Sequence, residues 1–199
     1  MAFISNGTTI LDAGAFQASL GNLVFISEQT ASASASISFT TGIDSTYPIY
    51  KFEFINIHPA SQADLRFNFS TDGGSNYNVT KTTTLFNAFH NESDTSTNLS
   101  YQTAYDLAQG TGDATLSNLL GNNNDESLSG YFLLFNPSST TFVKHFISCN
   151  STHQANSYMN NNYIAGYGNT TSSINAIKFQ MSSGNIDSGT IKLYGIKDS

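Results

Sequence analysis

The chain alternates apolar and polar residues in short runs, and turn-forming clusters separate those runs. In Tyr47–Ile57, YPIYKFEFINI, Tyr50, Phe52 and Phe54 fall on one face and Lys51 and Glu53 on the other. Leu65–Ser70 sets Leu65, Phe67 and Phe69 against Arg66 and Asn68 in the same way. A period of two marks a half-buried strand, because successive side chains leave opposite faces of the pleat. The end of the chain repeats the pattern twice. Ile177, Phe179 and Met181 oppose Lys178, Gln180 and Ser182; Ile191, Leu193 and Gly195 oppose Thr190, Lys192 and Tyr194. Ser183-Gly184-Asn185 lies between these two runs, which predicts an antiparallel hairpin closing a sheet.

Other strands follow from weaker forms of the pattern. Leu23–Glu28 reads as the first firm strand. The alternating SASASISFT leads to Ile37 and Phe39, with Ala31, Ala33 and Ala35 leaving room for bulky partners. Val79–Phe89 is a strand with a Thr-rich face. Gly130–Phe135, GYFLLF, reads as a central strand buried on both faces, and Thr141–Cys149 as its return. Asp72-Gly73-Gly74 offers the positive φ angles of a tight turn. Two polar stretches, His90–Thr115 and Asn150–Ser173, read as long loops, with a short helical turn expected somewhere in Asp106–Leu120. The expected fold is all-β: an antiparallel β-sandwich of eight or so strands, most simply a jelly roll, with long polar loops. Residues 1–22 read as an N-terminal arm or first strand, and residues 23–199 as the sandwich domain.

Composition narrows the function. Charged residues make up 11 % of the 199, against roughly 25 % in ordinary soluble proteins. A net charge of −7, with seven basic residues spread along the chain, argues against nucleic-acid binding. The N-terminus shows no signal peptide, and no run approaches the length of a membrane span, so the reading is of a protein made in a cytoplasm without membrane insertion. The single cysteine, Cys149, excludes an internal disulfide and reads as a small buried hydrophobe.

No residue pattern supports catalysis, a metal site or a cofactor. His145, Cys149 and His153 are spaced four apart, but on a strand the first two lie roughly 13 Å apart. Asn122–Glu126 lacks the acidic spacing of a calcium loop. Glu92, Asp94, Asp106 and Asp113 are the carboxylates a polysaccharide hydrolase would draw on, and they show no paired arrangement. Asn-x-Ser/Thr triplets at Asn68, Asn78 and Asn169 are what an Asn- and Ser-rich chain contains by chance. The best recognition candidates are Tyr101, Tyr105, Tyr158, Tyr163 and Tyr167. They offer flat apolar faces beside neutral hydrogen-bonding groups, as sugar-binding and protein-contact surfaces do.

Four stretches carry a resemblance: SASASISFTTGIDSTYPIYKFEFINIHPA, LRFNFSTDGGSNY, the strand ending LFNPSS, and SGNIDSGTIKLYGI. From about Leu23 to Ile196 the chain resembles tailed-bacteriophage proteins, common in marine phages, described as virion structural or tail-fibre-associated. The resemblance rests on fold signatures, the DGGS turn and the closing SGTIKLYGI above all. It implies a non-enzymatic structural component on the virion exterior, as capsid decoration or tail appendage. The implied partners are other virion proteins, further copies of the chain (a trimer among the options) and a host-surface glycan met during attachment.

Overall fold

In a computed structural model, residues 22–198 are described in full, together with the backbone of three short strands nearer the N-terminus. Those strands, β1 (Phe3–Ser5), β2 (Thr8–Asp12) and β3 (Ala15–Phe16), form a small antiparallel sheet. The rest of the expected arm or first strand over residues 1–22 lies outside the described residues.

The described residues hold no helix. Twelve further strands follow: β4 (Leu23–Thr30), β5 (Ile37–Phe39), β6 (Ile49–Pro59), β7 (Ala63–Ser70), β8 (Lys81–Asn91), β9 (Thr97–Tyr101), β10 (Ala114–Leu120), β11 (Leu128–Phe135), β12 (Lys144–Gln154), β13 (Tyr158–Gly168), β14 (Ala176–Met181) and β15 (Ile186–Ile196). Every pairing is antiparallel. A large ladder runs β4-β15-β6-β11-β12-β13-β8-β9, and a small one runs β10-β7-β14-β5. The two face each other across the core. They are not separate sheets, as a simple sandwich would have. A single pair, Leu120 with Gln154, joins β10 to β12 and makes one twelve-stranded sheet that nearly closes on itself. Leu119, at φ 52°, breaks the register of β10 just before that junction.

Two paired hairpins, β8–β9 and β12–β13, extend the large ladder and pair with each other. Eight strands remain when they are set aside. The first pairs with the last (β4, β15), the second with the seventh (β5, β14), the third with the sixth (β6, β11) and the fourth with the fifth (β7, β10).

The inward faces bury the residues the alternation singles out. Tyr50, Phe52, Phe54, Leu65, Phe67 and Phe69 are at most 1 % exposed, as are Ile191 and Leu193. Edge-to-face rings bridge the two ladders: Phe54 to Phe179 at 5.2 Å and Phe67 to Phe132 at 4.9 Å between centroids. This geometry adds to the burial energy of each ring.

Several expectations change. The terminal hairpin does not exist, because β14 pairs with β7 and β5 whereas β15 pairs with β4 and β6. Gly184, at φ 69°, turns the chain from the small ladder to the large one. Gly73 and Gly74 do adopt positive φ, yet the strands they connect, β7 and β8, are not partners. Ala33 and Ala35 are exposed in a crossing segment tied by Ser34 to Ile186. β11 is buried on one face only: Phe132 and Leu134 point in and Tyr131 points out. Asp106–Leu120 yields β10 in place of a helical turn, and most of the second long loop is the end of β12 and all of β13. Asn68 stands on the outer face, as expected, opposite Lys178, but it is covered there and 1 % exposed.

Candidate functional site: an aromatic face on the large ladder

Residues that are Cα partners in an antiparallel ladder project from the same face. One such row crosses the whole large ladder: Tyr101, Phe86, Tyr163, Cys149, Tyr131, Glu53, Lys192 and Glu28. Two residues along the strands a second row runs through Thr84, Ala165, Ile147, Leu133, Lys51, Tyr194 and Phe25. A third begins Thr82, Tyr167, His145. All three rows lie on the outer surface.

In the first row Phe86 and Tyr163 stack at 5.0 Å with their planes 10° apart, forming a ridge flanked by Tyr101. The second row is low over β8 and β13, where Thr84 and Ala165 are small. Tyr167 and His145 rise beyond it, with ring centroids 6.1 Å apart. The resulting trough measures about 460 Å³ and is mostly apolar. Gly166 forms part of its base. A Cβ there would sit 2.5 Å from the Thr82 carbonyl oxygen and 2.7 Å from Phe146, so the close approach of the strands to the Phe146 ring requires glycine.

Three of the five expected tyrosines therefore share one face: Tyr101, Tyr163 and Tyr167. They stand on strands β9 and β13 and not on loops. Tyr105 packs against the core, and Tyr158 points to the inner side, where its ring meets Phe89 edge-on at 5.5 Å. The hydroxyls of the three are engaged within the chain. Tyr101 donates to Asp106 at 2.5 Å, a bond that raises its pKa above the ordinary tyrosine value. The Tyr163 hydroxyl accepts from Asn161 Nδ2 at 3.0 Å, and that of Tyr167 accepts from Gln109 Nε2 at 3.4 Å.

The sequence did not point to the apolar neighbours of these tyrosines. Leu99 is 68 % exposed, Ile147 and Met159 46 %, and Phe86 43 %. In a run such as Leu85-Phe86 the pattern cannot show which of two adjacent apolar residues faces out. Cys149 belongs to this face too. It is half-buried on the outer side of β12, with Sγ 3.4 Å from Asn161 Oδ1, and burial raises its pKa. It is not the core hydrophobe expected.

The opposite face of the molecule has a different chemistry. The outer side of the small ladder carries Arg66 paired with Asp64 at 2.8 Å, Asn68 donating to Asp113 at 3.0 Å, and Lys178 over the Tyr77 ring at 5.2 Å. A polar cleft of about 510 Å³ lies at an end of the large ladder, lined in part by His58, Asp125, Glu126 and Asp187. Glu126 is buried there, and its carboxylate accepts from the Asn123 backbone N–H at 2.7 Å and from its side chain at 3.0 Å. The remaining carboxylates have separate neighbours. Glu92 lies 3.9 Å from His153, and Asp94 lies 3.0 Å from His90. His145, Cys149 and His153 line the outside of one strand. Among the described residues no three His, Cys, Asp or Glu side chains group as metal ligands would.

No protein-family model matches the chain, and neither a curated protein nor a solved structure matches it.

Proposed function

We propose that this protein is a non-enzymatic structural component of a tailed-phage virion, exposed on the particle exterior and assembled with copies of itself. The observation that carries the structural reading is the contrast between the two outer surfaces. One is polar and internally paired; the other is a broad aromatic face without a counterpart among the described residues, of the kind that marks a protein contact. The phage assignment rests on the sequence resemblance. The pairing order adds to it: first with last, second with seventh, third with sixth and fourth with fifth is how a hairpin ribbon rolls into a jelly roll, an architecture that recurs in capsid and lectin domains. We read the fold as a jelly roll with two inserted hairpins widening one side.

A host-surface glycan is the second reading, and Tyr167 beside the Thr82 and Thr84 hydroxyls favours it. It is the weaker one, since the tyrosine hydroxyls already have partners in the chain. Mass spectrometry of density-purified particles is the direct test. The protein should copurify with the particles at a fixed ratio to the major capsid protein, and its absence from them would remove the virion reading.

A further inference from the structure

We propose that the outer face of β11, β12, β13, β8 and β9 is where two copies of this chain pack against each other. They would meet face to face about a two-fold axis running across the strands, between the Phe86–Tyr163 row and the Thr84–Ala165 row. This deepens the assembly part of the reading above and does not depend on the virion assignment.

Three observations select a second copy as the occupant. The first is charge. None of the outward residues of these five strands is Lys, Arg, Asp or Glu, although the chain as a whole carries −7. Two like copies repel each other over most of their surfaces, and this is the face on which they can meet without that cost. A distinct partner selected by charge would find no fixed charge across the middle of this face. Charged groups stand at its margins: Asp106 bonds Tyr101, Glu92 lies 3.9 Å from His153 and Asp94 3.0 Å from His90, and over β4, β15 and β6 Lys192 pairs with Glu28 at 3.8 Å and Lys51 with Glu53 at 2.7 Å.

The second is area. Five strands roughly 4.8 Å apart, with outward residues every roughly 6.8 Å, present about 700 Å². That approaches the roughly 800 Å² per partner of a stable interface.

The third is relief. The ridge and the trough are adjacent rows, roughly 7 Å apart along the strands. A two-fold axis midway between them sets the Phe86–Tyr163 ridge of each copy over the Ala165 floor of the other. Stacked sheets roughly 10 Å apart interdigitate in this manner. The contact is isologous and closes on itself, so it yields a dimer and not a fibre.

Sedimentation equilibrium of the full-length chain tests this. The expected mass is twice 21.4 kDa. Ala165→Arg places an unpaired charge in the trough and should weaken the dimer roughly a hundredfold or more. Thr84→Lys, at an exposed position of the same floor, should do likewise, and serves if the arginine variant fails to fold. Ser38→Arg on the small ladder should leave the dimer intact. Maleimide labelling of Cys149, which stands in the ridge row, should be slow in the dimer and fast in the trough variants. A wild-type monomer at every concentration, a trimer, or a dimer indifferent to both trough variants would overturn the proposal. Particle mass spectrometry reads the virion assignment separately.

Discussion

Lys81 shows how one buried side chain couples this fold to pH. It lies on the inner face of β8, with no exposure to solvent, and its ammonium donates to Asn68 Oδ1 at 2.6 Å and to the Val79 carbonyl at 2.7 Å. Asn68 in turn holds the segment before β10 through Thr111 and Asp113. Burial lowers the Lys81 pKa from 10.5 to about 8, and the negative charge of Asp113 opposes that shift. Between these values the unfolded chain keeps a proton that the folded chain releases, so stability rises with pH. The displacement corresponds to on the order of 3 kcal/mol across the interval. Tyr50, whose pKa burial raises, acts in the opposite sense above about pH 10, where the unfolded phenol ionises first. Cys149, whose pKa burial also raises, acts in that opposing sense from about pH 9, so the clean window is pH 8 to about 9. Urea unfolding through that window should show wild type gaining stability relative to Lys81→Met. Parallel pH profiles would show that Lys81 is not the group responsible. This site was not legible in the sequence, because a lysine in a Thr-rich run reads as solvent-facing.

At the scale of strands, what could be read from the sequence depended on which face carried the polar residues. β6, β7, β14 and β15 bury apolar residues and expose polar ones, so their alternation was plain, and the assignment of Ile191 and Leu193 to the interior is correct. β13 reverses the pattern. Asn160 and Asn162 point inward and are fully buried, whereas Tyr163 and Met159 point out. The inward amides are held by a network with the neighbouring strands. Asn160 donates to Asn118 Oδ1 at 3.0 Å, Asn162 to Ser117 Oγ at 3.3 Å, and Asn150 to the Leu116 carbonyl at 3.0 Å. The amide nitrogens are partnered in this way, whereas the Oδ1 atoms of Asn150 and Asn160 are buried without a partner; a polar-in, apolar-out strand looks like a loop with stray tyrosines. The tyrosine face was thus half legible: three of its residues stood out, and the strands that align them did not. A pair of substitutions on β15 tests the assignment of faces. Leu193→Asp buries a carboxylate among core residues and should abolish cooperative folding; Lys192→Asp, one residue away on the outer side, loses its Glu28 partner and sets a third carboxylate between Glu28 and Glu53, and should cost only about 1–2 kcal/mol. Thermal unfolding by circular dichroism checks both, and equal midpoints would reverse the faces.

For the molecule as a whole, the placement of β15 makes the last strand a condition for the rest. It lies between β4 and β6, and its partners are up to 173 positions away in sequence, as in the pair Ile196 with Leu23. β14 has the same role in the small ladder, between β7 and β5. The eight-strand framework therefore cannot be completed from the N-terminal side, and long-range pairing of this kind makes folding slow, in the range of milliseconds to seconds. Without β15, β4 would have no partner in the ladder, β6 would become an open edge, and the core would lose Ile186, Ile191 and Leu193, all fully buried. Removing a buried aliphatic side chain costs about 2–5 kcal/mol, and three together exceed the stability of a typical domain. A chain ended at Asn185 should accordingly give no cooperative melting transition and should aggregate through its exposed edge. Supplying residues 186–199 as a separate peptide should restore the transition, because the vacated slot offers hydrogen-bonding backbone on both sides. If the truncated chain melted cooperatively on its own, the central position of β15 would carry less of the fold than its pairing indicates.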